Sequence, residues 1–278
     1  MFFIFLILYC VTICGNLLII TLVSYSKSLH SPMYFFLSNL SILDILLATD
    51  ILPNMIHTVL VKQSAMKFSD CLAQFLFFLI VESSESLLLT VMSWDRYLAI
   101  CKPLHYNLTM NPDRCCILII ICWTLSVLIV VVHTFNVAQL QFCGPNTVDH
   151  FFCDLDPILK LSCSDTAIIQ LEVTLLTAFF GIIPFVYIIV SYIIIIATIL
   201  KIPSITGRKQ VFSTCSSHLT VVCIYYGNIA CVYLVPSGGQ SASGGQSENI
   251  TKYLSLSYTV VTPLVNPLIY TLRNKDLT

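Results

Sequence analysis

Seven apolar stretches, each interrupted by few polar residues, alternate with shorter polar segments along the chain. They cover roughly Phe2–Tyr25, Met33–His57, Cys71–Cys101, Cys115–Val137, Ile168–Leu200, Val211–Val235 and Ile250–Leu272. A helix needs about 20 mainly apolar residues to cross the hydrocarbon of a bilayer, and every stretch reaches that length. Strand-sized segments of alternating polarity are absent, which excludes a barrel. Lipid offers the backbone no hydrogen bonds, so helices remain as the spanning element. The pattern predicts an all-α membrane protein, a single seven-transmembrane helix bundle. The first stretch reads as a span and not as a signal peptide, because its apolar region is too long and no basic start precedes it.

Composition strengthens that reading. The 278 residues are 57% hydrophobic and only 10% charged, whereas a soluble domain carries about a quarter charged residues on its wetted surface. A net charge of −1 argues against a nucleic-acid partner and leaves membrane lipid as the expected surroundings. Lysine and arginine in short loops set orientation. With the amino terminus outside, the inner side holds Lys27, Arg96, Lys102, Arg114, Lys201, Arg208, Lys209, Arg273 and Lys275. The outer side then holds Lys62, Lys67, Lys160 and Lys252, and nine against four favours this topology.

Many of the 13 cysteines lie inside apolar runs, where a thiol packs as a small hydrophobe. Four fall on the expected outer side: Cys71 at the start of the third span, and Cys143, Cys153 and Cys163 in the loop after the fourth. Four cysteines allow three pairings, and spacing leaves all three open. A zinc site using His150 is the alternative, although disulfides prevail in oxidising compartments. The loop after the sixth span repeats itself, Ser237–Ala242 and Ser243–Glu248 being near-copies. Its glycine and serine predict a flexible coil. An Asn249-Ile250-Thr251 sequon follows on the outer side, while matches at Asn39 and Asn107 fall in the membrane and on the inner side.

Several motifs sit at matching depths. They are Gly15-Asn16 in the first span, "LSNLSILDI" with Asp44 in the second, "MSWDRYLAICKPLHY" closing the third and Ser191-Tyr192 in the fifth. "FSTCSSHLTVV" opens the sixth and "TPLVNPLIYTLRN" closes the seventh. This set, in this order and across the whole chain, resembles the rhodopsin-like G-protein-coupled receptors. The "PMYFFL" start of the second span and the "HFFCD" loop resemble the olfactory (odorant) receptors within them, in their larger tetrapod-type class. The resemblance implies a plasma-membrane receptor that binds a small odorant, activates a stimulatory heterotrimeric G protein and raises cyclic AMP. It implies no enzyme activity and no cofactor beyond an allosteric sodium ion.

The resemblance also assigns residues. Asp95, Arg96 and Tyr97 belong to the motif that holds the resting state and later contacts the G protein, whereas in isolation Asp95-Arg96 reads as a solvated juxtamembrane pair. Tyr192 and Tyr270 match the two tyrosines that turn inward on activation, beside Asn266 and Pro267. Tyr226 replaces the pocket-floor tryptophan of many non-olfactory relatives, and Trp94 stands where the olfactory pattern usually has tyrosine. The family implies a Cys71–Cys153 disulfide, and Cys143–Cys163 uses the remaining outer pair. Against the family pattern, an outer tail and most of a short inner helix are expected to be missing. A truncated product that does not signal is therefore the alternative to a working receptor.

Two acidic residues inside the third span, Glu82 and Glu85, need a purpose, because an intramembrane carboxylate costs a few kcal/mol or more without a partner or water. From Cys71 to Arg96 the span runs about 37 Å, which places Glu85 about 21 Å below Cys71, near the midplane. Asp44 and Asn266 should reach similar depth, and with Ser86 or Ser41 they supply the oxygen donors that hard cations prefer. The family resemblance likewise implies sodium there. A proton shared between Asp44 and Glu85 is the alternative. Glu82 lies about 16 Å below Cys71, at the level of the family's ligand cavity. Alignment with the family implies a mostly apolar pocket there, lined by Phe78, Leu79, Ser83, Thr177, Phe180, Ile229, Tyr233, Leu256 and Thr259. A protonated Glu82 bonded to a nearby serine or carbonyl is the plainer reading of that residue.

Two other function classes compete with the receptor reading. Intramembrane carboxylates also mark transporters and channels, but the chain shows no internal repeat of its spans and no paired broken helices. A membrane enzyme or metal site could use Ser213, Cys215 and His218, yet no acid stands ready to orient the histidine. Helix packing accounts for them better.

Overall fold

The computed structural model describes residues 2–26, 29–61, 66–143, 150–234, 256 and 259–270. Among the described residues one helix falls in each of the seven apolar stretches: α1 (Phe2–Tyr25), α2 (Pro32–Val61), α3 (Phe68–Cys101), α5 (Pro112–Ala138), α7 (Ala167–Leu200), α8 (Ile205–Leu234) and α9 (Thr259–Tyr270), of which α1, α2, α3, α5 and α7 are long and apolar enough to cross a membrane. Two short helices, α4 (Pro103–Thr109) and α6 (Leu155–Lys160), lie in loops. Among the described residues the nearest thing to a sheet is one isolated bridge, between Phe142 and Ser162. The tandem repeat, the Asn249 sequon and the basic residues Lys27, Lys62, Lys252, Arg273 and Lys275 lie outside the described residues.

Helix starts follow local chemistry. Before α5, the Asn111 side chain accepts a hydrogen bond from the Arg114 amide at 2.9 Å, and Pro112 takes the first helical position, where no donor is needed. Several helices outrun their apolar segment: α2 continues to Val61, α3 begins at Phe68 and α8 begins at Ile205. The hydropathy signal stops where lipid stops, whereas backbone bonding continues into water. Arg208 uses that extra turn of α8 to donate to the Ile202 carbonyl at 3.0 Å, just past the end of α7.

The core lies on α2 and α3. Leu40, Leu43, Leu47 and Ile51 are fully buried, and Phe78, Val81, Leu88 and Met92 continue the packed surface along α3. Against lipid the pattern inverts, with Ile117, Ile120, Leu128 and Phe135 of α5 exposed. Gly15 lets α1 approach α9, since a Cβ there would stand 3.2 Å from the Pro267 ring. Beside it, Asn16 donates to the Pro263 carbonyl at 3.0 Å.

At the end of the bundle expected to face outside, Cys71 is bonded to Cys153 and Cys143 to Cys163. Gln74 reinforces the first bridge by accepting from the Cys153 amide at 3.1 Å and donating to the Asp50 carbonyl at 2.9 Å. His150 turns its Nδ1 to the Phe152 carbonyl, 3.0 Å away, and Cys153 is committed to its disulfide. Non-reducing peptide mapping should therefore recover Cys71 joined to Cys153, and Cys143 joined to Cys163. A peptide joining Cys71 to Cys143 would overturn the assignment.

One feature has no counterpart in the apolar pattern. Within α7, Thr177–Ile182 winds as a π-helix. Pro184 follows and lacks the amide that would bond the Phe180 carbonyl four residues earlier in an α-helix.

Candidate functional site

Three levels of polar side chains cross the bundle from the disulfide-bonded end, expected to be the outer one, to the opposite, inner end. The upper level is the expected pocket. Phe78, Ser83 and Phe180 are buried, while Leu79, Glu82, Thr177, Ile229 and Leu256 are half-buried. Phe78 packs against Phe152 of the outer loop with ring centres 5.4 Å apart, so that loop closes over α3. Leu79, Ile229 and Leu256 pack on the same apolar core. Thr259 is fully buried, and its hydroxyl donates to the Leu256 carbonyl at 3.2 Å. The side chain of Tyr233 lies outside the described residues.

The middle level holds the carboxylates. The Asn266 amide donates to both Asp44 oxygens, at 3.1 and 3.2 Å. Glu85 is fully buried, and neither of its oxygens has a hydrogen-bond partner among the described residues. The Asn266 carbonyl oxygen is equally buried and unpartnered. Glu82, expected as a pocket residue, is half-buried one turn from Glu85. Three positions apart on α3, Glu82 and Glu85 share a helix face. The Tyr225 hydroxyl donates to the Glu82 carbonyl at 3.1 Å.

Ser86, expected beside the cation ligands, is engaged elsewhere. Its hydroxyl donates to the Phe180 carbonyl and lies 3.0 Å from the Tyr226 hydroxyl.

The inner level centres on Arg96. Its guanidinium pairs with Asp95, with Nε 3.0 Å from Oδ2. Tyr106 of α4 donates to the other Asp95 oxygen at 2.8 Å. Burial and the adjacent Asp95 carboxylate push the Tyr106 hydroxyl well above its ordinary pKa, so it stays protonated and able to donate. Asp95 is buried and Arg96 is half-buried, which separates the pair from the solvated juxtamembrane pair that Asp95-Arg96 suggests in isolation. Tyr97 is half-buried against the core. Tyr192 stacks on His218, with its hydroxyl 2.7 Å from Nδ1. His218 and Cys215 are thus packed within the bundle. Tyr270 is fully buried, and its hydroxyl has no hydrogen-bond partner among the described residues.

The family model described as "Olfactory receptor" matches residues 5–278. The chain belongs to the olfactory receptor family. Olfactory receptor 1468 of Rattus norvegicus is 44% identical over 98% of this chain and 85% of its own length. Olfactory receptor 1M1 of Mus musculus is 44% identical over 100% of this chain and 87% of its own. Olfactory receptor 13A1 of Homo sapiens is 45% identical over 98% and 81%. In overall fold the chain is similar to the crystal structure of squid rhodopsin, with a TM-score of 0.78 over 99% of this chain and 81% of the other, at 18% identity. This olfactory receptor therefore has the seven-helix fold of rhodopsin, lies in the plasma membrane as a multi-pass protein and belongs to a family of signalling receptors.

Some contacts of the receptor carried little sequence signal. Glu172 joins His133 at 2.8 Å and also accepts from Asn136, tying α5 to α7 near the outer end. The bond between Tyr106 and Asp95 was hidden for another reason, since it depends on how α4 folds back under α3. Pro184 was the available clue to the Ser86 contact, because a proline inside a helix leaves the carbonyl four residues earlier without its usual donor.

Proposed function

We propose that this olfactory receptor binds a small volatile odorant between the outer halves of α3, α7, α8 and α9, and activates a stimulatory heterotrimeric G protein to raise cyclic AMP. The observation that carries the reading is the pairing of Arg96 with the buried Asp95, closed by Tyr106, at the inner end of the helix whose outer half bears Phe78, Leu79 and Glu82. Glu82 and Arg96 are 14 residues apart on α3, about 21 Å along the axis. Binding at one level can thus reach the other only through helix movement. The amino terminus is assigned to the outside, and the exposed apolar faces of α1, α5 and α7 to lipid. A cyclic AMP reporter assay, screened with acids, alcohols and amines at measured surface density, tests the proposal. A surface-expressed receptor that never raised cyclic AMP would overturn it.

The oxygen atoms of the middle level fit a small hard cation. Glu85 brings two unpartnered oxygens and Asn266 one, beside Asp44, and such buried charge needs neutralising. Asp44, Glu85 and Asn266 would hold sodium, whose positive charge would offset the carboxylates and tie α2, α3 and α9 together. Glu85→Ala removes one carboxylate and should abolish the sodium dependence of odorant binding and shift basal activity. Equal sodium effects in the variant and the parent would leave the shared-proton reading standing.

A further inference from the structure

We infer that Arg208 is a positioning residue: its guanidinium, carried on the first turn of α8, caps the end of α7, so that the inner ends of these two helices move as one body. The inference rests on the receptor reading above and concerns which seam of the bundle parts toward the G protein.

A helix end leaves its last four carbonyls without helical donors, and α7 ends at Leu200. The following loop supplies two backbone donors, Lys201 to the Thr198 carbonyl at 3.1 Å and Ile202 to the Ile199 carbonyl at 3.0 Å. The Leu200 and Ile202 carbonyls take theirs from α8. Arg208 Nη2 lies 3.4 Å from the first and 3.0 Å from the second. A cation placed there also faces the negative end of the α7 dipole. Ser204 fixes the approach, because its carbonyl accepts from the Arg208 amide at 2.9 Å and its hydroxyl from the Gly207 amide at 3.2 Å. A side chain on a helix leans toward the amino end, and here that direction leads back to α7.

Arg208 differs from the lysines beside it. Lys201 and Lys209 are exposed, whereas Arg208 is half-buried and its Nε is buried without a partner among the described residues. The guanidinium is therefore committed to α7 and not offered to a docking protein. About 15 Å further along α8, at 1.5 Å per residue, the same two helices are joined again, by His218 and Tyr192. With a tie at each end, their inner halves form a stitched hairpin. The end of α3 holds this hairpin more weakly, through the Cys101 thiol donating to the Thr198 hydroxyl at 3.3 Å. A thiol is a weak donor, and a charged donor makes the stronger bond. The seam that parts first thus lies between α3 and the hairpin. Without Arg208 the start of α8 can leave α7 behind, which should raise basal signalling.

The test compares the parent with Arg208→Lys, Arg208→Gln and Arg208→Glu. Hydrogen–deuterium exchange is followed on the purified receptors, and basal cyclic AMP in cells at matched surface density. The Lys201 and Ile202 amides should exchange roughly tenfold faster in Arg208→Gln, the change for a hydrogen bond to a charged group of about 1.5 kcal/mol. Arg208→Lys keeps the charge without the planar fork and should fall between the parent and Arg208→Gln. Arg208→Glu sets a negative charge against the carbonyls and should exceed Arg208→Gln. Basal cyclic AMP should rise in the same order. If Arg208→Glu fails to reach the surface, the order of the parent, Arg208→Lys and Arg208→Gln carries the test.

Faster exchange with unchanged basal cyclic AMP would reduce Arg208 to a local cap and overturn the inference. So would cyclic AMP that falls from Arg208→Lys to Arg208→Glu while exchange stays at the parent rate, the signature of a cation that touches the G protein. A parent that never raised cyclic AMP would instead count against the proposed function, and exchange, which needs neither odorant nor G protein, would still decide whether Arg208 holds the end of α7.

Discussion

Arg96→Ala is expected to silence G-protein signalling while leaving odorant affinity largely intact. Two features produce the split. Arg96 is far from the pocket along α3, so its loss removes no ligand contact. Its guanidinium also sits at the inner end of α3, where Asp95 holds it and Tyr106 holds Asp95. Alanine would leave the buried Asp95 with only the Tyr106 hydroxyl, and breaking a buried pair by deleting one partner typically costs about 3–5 kcal/mol. Surface density must therefore be measured beside cyclic AMP. Arg96→Lys keeps the charge but loses the planar fork, and should fold better while signalling poorly. A surface-expressed Arg96→Ala receptor that raised cyclic AMP like its parent would end the proposed mechanism.

The seven spans were legible because lipid is an unforgiving solvent. A helix such as α5 must show apolar residues on every face, and Ile117, Ile120 and Leu128 remain exposed for that reason. Helix ends were less legible. The turn Ile205–Gln210 is polar, so hydropathy starts the sixth span at Val211, although the backbone is helical six residues earlier. The polar levels divide in the same way. Asp44, Glu85 and Asn266 could be found because an ionisable side chain in an apolar run demands a reason. Neutral hydroxyls raise no such demand. Ser86 therefore read as one more donor for the cation, and its true partners, Phe180 and Tyr226, lie 94 and 140 residues away. The tie between Glu172 and His133 was invisible for a related reason, since each alone suits a loop-proximal helix end.

Glu82 gives the sharpest test of ligand chemistry. Most of what surrounds the expected pocket is apolar, with Phe78, Leu79, Ile229 and Leu256 packed on one core. A carboxyl in such a place should discriminate by charge. An amine odorant carries its own cation, and a charge-assisted bond to Glu82 would be shorter and stronger than one between neutral groups. Glu82→Gln keeps size and hydrogen bonding while removing the charge. Hydrogen bonds to charged groups contribute about 1.5–3 kcal/mol, so amine potency should fall roughly tenfold or more. Aldehydes, ketones and esters can accept a hydrogen bond from either side chain and should change little. The sodium effect should persist, since Asp44, Glu85 and Asn266 are untouched by this substitution, and its loss would merge the two sites into one. If amine responses survive Glu82→Gln unchanged, Glu82 is a structural carboxyl held beside Tyr225, and selectivity must come from the apolar wall.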